Sequence, residues 1–153
     1  FYQANSIKFN DVNDTFRFYN PKAGITYTLN NVSSIYGYFG IANKEPRRDD
    51  YESGSVKPER LQDYELGYKF KKKKTSLNVN AFYMRYKNQL VATGALNDVG
   101  SPVFENSGKS MRAGIEIEAT LQLASKFVIQ PNITLSANKN NDLFLNFGEA
   151  YLA

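Results

Sequence analysis

Apolar and polar residues alternate with a period of two along most of this chain. The longest case covers residues 110–123, where one set of alternate positions is apolar and the other is polar. A period of two places successive side chains on opposite faces of a β-strand. We therefore expect an all-β fold with one apolar and one polar face. The apolar set is Ala113, Ile115, Ile117, Ala119, Leu121 and Leu123, and the polar set is Arg112, Gly114, Glu116, Glu118, Thr120 and Gln122.

The same alternation elsewhere predicts an antiparallel up-and-down meander of sequentially paired strands. The pattern breaks at Phe82 and Met84, which indicates a bulge or an inward aromatic residue. Pro131 removes a ladder donor from the last strand and counts against a central position for it. The expected strands cover residues 15–29, 33–42, 59–71, 75–91, 107–123 and 126–139.

Short and long connections alternate between these strands. Residues 30–31, 71–74 and 124–125 are short turns, and residues 43–58, 92–104 and 139–149 are long loops. Outer-membrane barrels have short turns at one end and long loops at the other. The expected strands are also about ten or more residues long, which is near or above the ~9–11 residues that cross a bilayer, whereas ordinary strands average about five to six. This favours a transmembrane barrel over a soluble β-sandwich, although alternation alone is compatible with both.

The composition excludes several classes of function. The chain contains no cysteine and no histidine, which excludes disulfides, thiolate catalysis, histidine-based triads and Cys or His zinc sites. The net charge of +4 is weak for a nucleic-acid-binding protein. No apolar run is long enough for a transmembrane helix. We expect no enzyme, no nucleic-acid partner, no cofactor and no metal ion.

Charged residues in the first long loop form the candidate ligand-binding site. Arginine presents a planar fork of donors that suits an anionic ligand, such as a metal chelate or lipopolysaccharide phosphates. A solvated loop is the alternative explanation, and the general behaviour of charge runs favours it. The cluster is Lys44, Arg47, Arg48, Asp49, Asp50 and Tyr51.

Two further residue groups have alternative explanations. Glu116 and Glu118 share one face of a strand, as catalytic or metal-binding carboxylates do, but no third group completes a mechanism. Five tyrosines suit either an interfacial aromatic girdle or cross-strand packing on a half-buried sheet. They are Tyr36, Tyr38, Tyr64, Tyr68 and Tyr83.

Four segments in order together resemble the barrel of a TonB-dependent outer-membrane receptor. They are NPKAGITY at 20–27 with IYGYFG at 35–40, NKEPRR at 43–48, KPER at 57–60 with YELGY at 64–68, and NSGKS at 106–110 with GIEIE at 114–118. The third is similar to the family's L-x-P-E and Y-E-x-G signature, with Val56 where Leu is usual. The fourth is similar to N-x-G followed by G-x-E-x-E. AFYMRYKNQLV at 81–91 is similar to a family strand, F-Y-x-x-Y-K-x-Q-[IL]-V.

This resemblance implies that the chain is a wall segment of a barrel with about 22 strands around a plugged lumen. Residues 1–153 would be a partial barrel domain, without the family's N-terminal plug domain, TonB box and C-terminal strands. The residues that would line the lumen are Arg112, Glu116, Glu118 and Gln122.

The resemblance also implies active uptake of a scarce nutrient, first an iron–siderophore type chelate, across a Gram-negative outer membrane. The partners would be the lipid bilayer, the small nutrient or metal chelate, and the TonB energy-coupling protein through the missing plug domain. The alternative function is a soluble β-sandwich module that binds a carbohydrate-type ligand.

Overall fold

A single antiparallel sheet makes up the described part of the computed structural model, which comprises residues 13–47, 50–51, 56–97 and 100–140. Each of the first five strands pairs with the next, and the last two both pair with the fifth. The all-β antiparallel meander predicted from the alternation is confirmed. The strands are β1 (Lys22–Asn30), β2 (Ser33–Lys44), β3 (Glu59–Lys72), β4 (Thr75–Leu96), β5 (Pro102–Ala124), β6 (Phe127–Ile129) and β7 (Asn132–Asn140).

The first strand begins later than predicted. Residues 13–21 have no regular secondary structure, and Pro21, which lacks the N–H that a ladder requires, stands immediately before β1. The chain nevertheless follows β2, since the Ile41 amide donates to the Pro21 carbonyl at 2.9 Å. The Asn43 amide donates to the Asn20 Oδ1 atom at 2.9 Å. The segment is therefore held beside β2 by individual hydrogen bonds to a backbone carbonyl and a side chain, and not by a regular ladder.

Proline also divides the last predicted strand. Gln130 and Pro131 separate β6 from β7. The Pro131 carbonyl still accepts a hydrogen bond from the Ala119 amide at 3.0 Å, so the chain stays alongside β5 across the interruption. Within the described residues β7 is the last strand and pairs with β5.

The hairpin of β4 and β5 is longer than predicted. Residues 92–104 were expected to form a loop, yet pairing continues to Leu96 and Pro102. Gly94 has φ of +86° and lies in a register shift between Ala92 and Leu96. A positive φ is readily available to glycine. The glycine therefore marks an irregularity inside the hairpin and not its end.

The strand register defines two faces, which we call the polar face and the apolar face. Tyr36, Gly67, Asn80 and Glu116 lie side by side on the polar face across four strands. Phe82 pairs with Gly114 without a register shift, so it is the inward aromatic residue and not a bulge. The apolar face carries Ile25, Tyr27, Ile35, Phe39, Tyr64, Leu66, Tyr68, Leu77, Val79, Tyr83, Ile115, Ile117, Ile133 and Leu135.

The apolar face has no cover within the described residues. Ile25 is 75% exposed, Leu66 65% and Ile117 36%. Val56, at 7%, is the one buried hydrophobic residue in the described ranges. A β-sandwich needs a second sheet packed on this face, so the structure does not favour that alternative. None of the described residues forms a helix of the length and hydropathy that crossing a membrane requires.

The apolar face has the dimensions of a bilayer-facing band. On β5 it runs from Ala113 to Leu123, about 33 Å along the strand and about 25 Å along the bilayer normal at a tilt of about 40°. Phe39, Tyr64 and Tyr83, which we call the aromatic row, lie near the end of the sheet that carries the long loops. Their neighbouring ring centres are 5.0 and 6.2 Å apart. This end is called the long-loop end, and the opposite end the short-turn end.

Candidate functional site

A group of hydrogen-bonded side chains lies near the middle of the polar face. The Tyr36 hydroxyl donates to Asn80 Oδ1 at 3.0 Å, and Asn80 Nδ2 donates to Glu65 Oε2 at 3.3 Å. Lys69 Nζ lies 4.7 Å from the centre of the Tyr36 ring. The ring covers Gly67, where a Cβ atom would overlap it. We call Tyr36, Glu65, Lys69 and Asn80 the polar network; it places opposite charges on either side of one aromatic ring.

Tyr36 and Tyr38 therefore do not belong to an aromatic girdle on the apolar face. The register places both on the polar face, beside Asn80 and Glu65 respectively. Together with Asp63 and Lys69 they line a shallow depression of about 350 Å³. The depression combines ring faces, carboxylates and a cation, a mixture suited to polar contacts with another protein segment or a passing solute.

All four residues predicted to line a lumen lie on the polar face. The Arg112 guanidinium is 5.3 Å from the centre of the Tyr86 ring, and Glu118 Oε1 accepts a hydrogen bond from Asn132 at 3.4 Å. Glu116 lies opposite Asn80. From Arg112 to Gln122 the strand advances about 33 Å. These residues thus extend along a wall and do not converge on one site.

Two polar-face acceptors are buried without a hydrogen-bond partner in the described part of the chain. They are Asp63 Oδ1 and Asn78 Oδ1. Buried polar atoms are usually hydrogen-bonded. Both atoms are covered by their neighbours, so a group that contacts this face could donate to them only after those neighbours move.

The predicted loop cluster is only partly brought together. Lys44 Nζ forms an ion pair with Glu59 Oε1 at 3.1 Å. Asp50 is buried, and its Oδ2 atom accepts a hydrogen bond from the Arg47 amide at 2.7 Å while its own amide donates to the Arg47 carbonyl at 3.0 Å. Lys44 and Asp50 thus hold the loop, and the Arg47 residue is exposed.

Tyr51 is also held by a partner in the chain. Its hydroxyl donates to Asp14 Oδ2 at 2.9 Å. Desolvation, together with this hydrogen bond, raises the pKa of Tyr51 above its ordinary value. Arg48 and Asp49 lie outside the described residues. In the described ranges no three His, Cys, Asp or Glu side chains are grouped to hold a metal ion.

Sequence reasoning missed a hydrogen-bonded junction at the base of the long loops. Asn106 Oδ1 accepts from the Lys57 amide at 2.7 Å, while Asn106 Nδ2 donates to the carbonyls of Lys57 and Asn88 at 2.9 and 2.8 Å. Asn88 has φ of 55°, a left-handed conformation that asparagine tolerates better than most residues. We call Asn88 and Asn106 the asparagine clamp. It joins the segment before β3 to both β4 and β5.

Comparison with known proteins gives a family and a set of similar folds. The family model described as TonB dependent receptor-like, beta-barrel matches residues 2–151. No curated protein sequence matches the chain.

Three solved structures illustrate the likeness of fold. The siderophore receptor PirA from Pseudomonas aeruginosa matches with a TM-score of 0.67 and 18% identity, over 79% of this chain and 25% of that one. The FrpB iron transporter from Neisseria meningitidis matches with a TM-score of 0.64 and 19% identity, over 81% of this chain and 20% of that one. The alcaligin outer membrane receptor FauA from Bordetella pertussis matches with a TM-score of 0.58 and 21% identity, over 80% of this chain and 23% of that one. The chain therefore spans a quarter or less of these proteins.

Proposed function

Because this chain belongs to the family of TonB dependent receptor-like β-barrels, we propose that it forms part of the wall of an active transporter. Its place is the outer membrane of a Gram-negative cell, and its fold is a section of a large antiparallel barrel. The family is one of transporters and receptors, and we assign these residues no catalytic role. The intact protein would take up a scarce nutrient through the lumen of the barrel.

One observation carries this proposal: a single sheet has an exposed apolar face and a polar face that carries every carboxylate of the aligned central strands. From Phe70 to Arg60, from Leu77 to Lys87 and from Lys109 to Ala119, no apolar-face position holds Asp or Glu. Asp63, Glu65, Glu116 and Glu118 share the polar face. A barrel wall between lipid and a wet lumen requires this separation.

The polar network supports contact with a plug domain inside the barrel. Glu65 and Lys69 offer opposite charges, and the buried acceptors of Asp63 and Asn78, which have no donor in the described part of the chain, could accept hydrogen bonds once their neighbours move. A lumen-filling domain would bury these groups, and burial is favourable only when polar groups find partners. We propose that this domain also links the barrel to TonB, the energy-coupling partner.

We propose an iron–siderophore type chelate as the nutrient. The similar structures include a siderophore receptor, an iron transporter and an alcaligin receptor. Arg47, at the long-loop end, and Arg48, its neighbour in the sequence, are the residues proposed to contact an anionic chelate, because a guanidinium binds carboxylate and related oxygens through paired hydrogen bonds. Lys44 forms an ion pair with Glu59, and its proposed role is to stabilise the conformation of the loop.

Uptake of radioactive iron tests the proposal. The complete receptor gene that contains this chain would be expressed in a strain lacking its own siderophore receptors, with and without tonB, and supplied with a panel of ferric siderophores. We expect TonB-dependent uptake of at least one chelate. The absence of uptake for the whole panel, with the receptor folded in the membrane, would contradict the iron assignment.

A matched pair of variants tests the loop residues. Arg47→Ala together with Arg48→Ala should raise the KM for uptake about tenfold or more, as expected when charge-assisted hydrogen bonds are lost. Lys126→Ala, which removes a cation at the short-turn end, should leave KM unchanged. Equal effects of the two changes would rule out a specific role for the arginines.

A further inference from the structure

Four cations form a cluster on the apolar face at the long-loop end. Arg60, Lys87 and Lys109 lie directly side by side across β3, β4 and β5. Arg85 occupies the adjacent position on β4, one row nearer the aromatic row. With Gln62 these residues line an open depression of about 200 Å³. We call Arg60, Arg85, Lys87 and Lys109 the outer basic cluster.

Within the described residues the rows that hold the outer basic cluster contain no carboxylate, and by the register Glu105 lies on the same face of β5, four residues (about 13 Å) from Lys109. Among the described residues one ion pair is found, between Lys44 and Glu59. The register places both of these residues on the polar face. Like charges directly opposite one another across strands destabilise a sheet. Three adjacent cations in one row therefore favour an anion that binds between them.

The position of the cluster indicates the source of that anion. Arg85 and Lys87 lie two and four residues beyond Tyr83, about 7 and 13 Å along the strand. Tyrosines are enriched at the level of the lipid headgroups. The cluster thus lies beyond the end of the apolar band, where headgroup phosphates meet the barrel surface.

We propose that the outer basic cluster binds the phosphate groups of a phosphorylated lipid in the leaflet at the long-loop end. The arginines would bind phosphate oxygens through paired N–H donors, and the lysines would act as point charges. Acyl chains of the same lipid would lie on Tyr64, Leu66 and Tyr83. This adjacent apolar surface favours a lipid over a free anion. The proposal depends on the membrane placement described above and not on the nutrient transported.

Native mass spectrometry of the complete receptor in dodecyl maltoside tests this site. Lipid A, which carries two phosphates, would be titrated against its dephosphorylated form and against inorganic pyrophosphate. We expect lipid A to bind at least tenfold more tightly than either. Equal binding of the dephosphorylated lipid would overturn the phosphate assignment, and equal binding of pyrophosphate would overturn the lipid assignment.

Matched variants locate the site. Arg85→Gln with Lys87→Gln should weaken lipid A binding at least tenfold, whereas Lys72→Gln with Lys74→Gln, at the short-turn end, should change it less than twofold. Identical binding by the two double variants would overturn the proposal. Ferric-chelate uptake, measured on the same proteins, separates the two claims: a receptor without iron uptake can retain the lipid site, and loss of the lipid site need not abolish uptake.

Discussion

Ile117→Lys is the substitution that most directly tests which face of the sheet meets lipid. Ile117 lies on the apolar face of β5, within one residue of the centre of the band between Ala113 and Leu123. A lysine on the lipid face of a barrel costs about 2–4 kcal/mol at the bilayer midplane and about 0–1 kcal/mol near the interface. We therefore expect the folding equilibrium to fall roughly 30- to 1,000-fold, since 1.4 kcal/mol is a factor of ten.

The magnitude should depend on depth and on face. Ala113→Lys, at the end of the band beside the aromatic row, should cost less than about 1 kcal/mol. Thr120→Lys introduces the same charge on the polar face of the same strand and should also cost less than about 1 kcal/mol, because the lumen is wet.

Denaturant unfolding of the complete receptor in phospholipid vesicles measures these differences. The folded fraction at each guanidinium concentration can be followed by the heat-dependent mobility of the barrel in gel electrophoresis. The reasoning fails if Thr120→Lys costs as much free energy of unfolding as Ile117→Lys. It fails equally if all three variants unfold at the wild-type midpoint.

Three further predictions concern the polar face and the long-loop end. Gly67→Ala should lower the free energy of unfolding by about 1–3 kcal/mol, because the new methyl group displaces the Tyr36 ring. In a Tyr36→Ala background the same change should be nearly neutral. Denaturant midpoints of the wild type, the two single variants and the double variant measure this coupling, and equal costs of Gly67→Ala in both backgrounds would contradict it. Asn106→Ala should destabilise by about 1–3 kcal/mol, because the Lys57 amide loses its acceptor; faster proteolysis of the long-loop end in intact cells would report it, and wild-type resistance would contradict it. Lys44→Ala should cost about 1 kcal/mol or less and the cost should shrink at high salt, since the Lys44 side chain is 57% exposed although that of Glu59 is 15% exposed; a larger, salt-independent loss would assign Lys44 another role.

The regular part of the sheet follows from the sequence because side-chain alternation is a local property. The faces of Arg112, Ile115, Glu116 and Ile117 can be assigned from their spacing alone. Local rules failed where a residue has two structural uses. Gly94 indicated a loop, but its positive φ serves an irregularity within a longer hairpin.

The remaining features depend on contacts between distant parts of the chain. The asparagine clamp joins Lys57 to Asn106, 49 positions away, and no spacing rule predicts that bond. The outer basic cluster becomes visible only when the register aligns Arg60, Lys87 and Lys109. In the loop cluster the charged residues can be identified from the sequence. The hydrogen bond that the Asp50 carboxylate accepts from the Arg47 amide cannot.

The asparagine clamp divides the β4–β5 hairpin into two mechanical parts. Below it, neighbouring strands fix the register; beyond it, Val91 to Leu96 pair with β5 alone among the described strands. Changes at the tip of the hairpin should therefore have little effect on the pairing of the membrane-spanning strands. An epitope or fluorophore inserted near Asn97 would thus mark the receptor on living cells without altering its assembly.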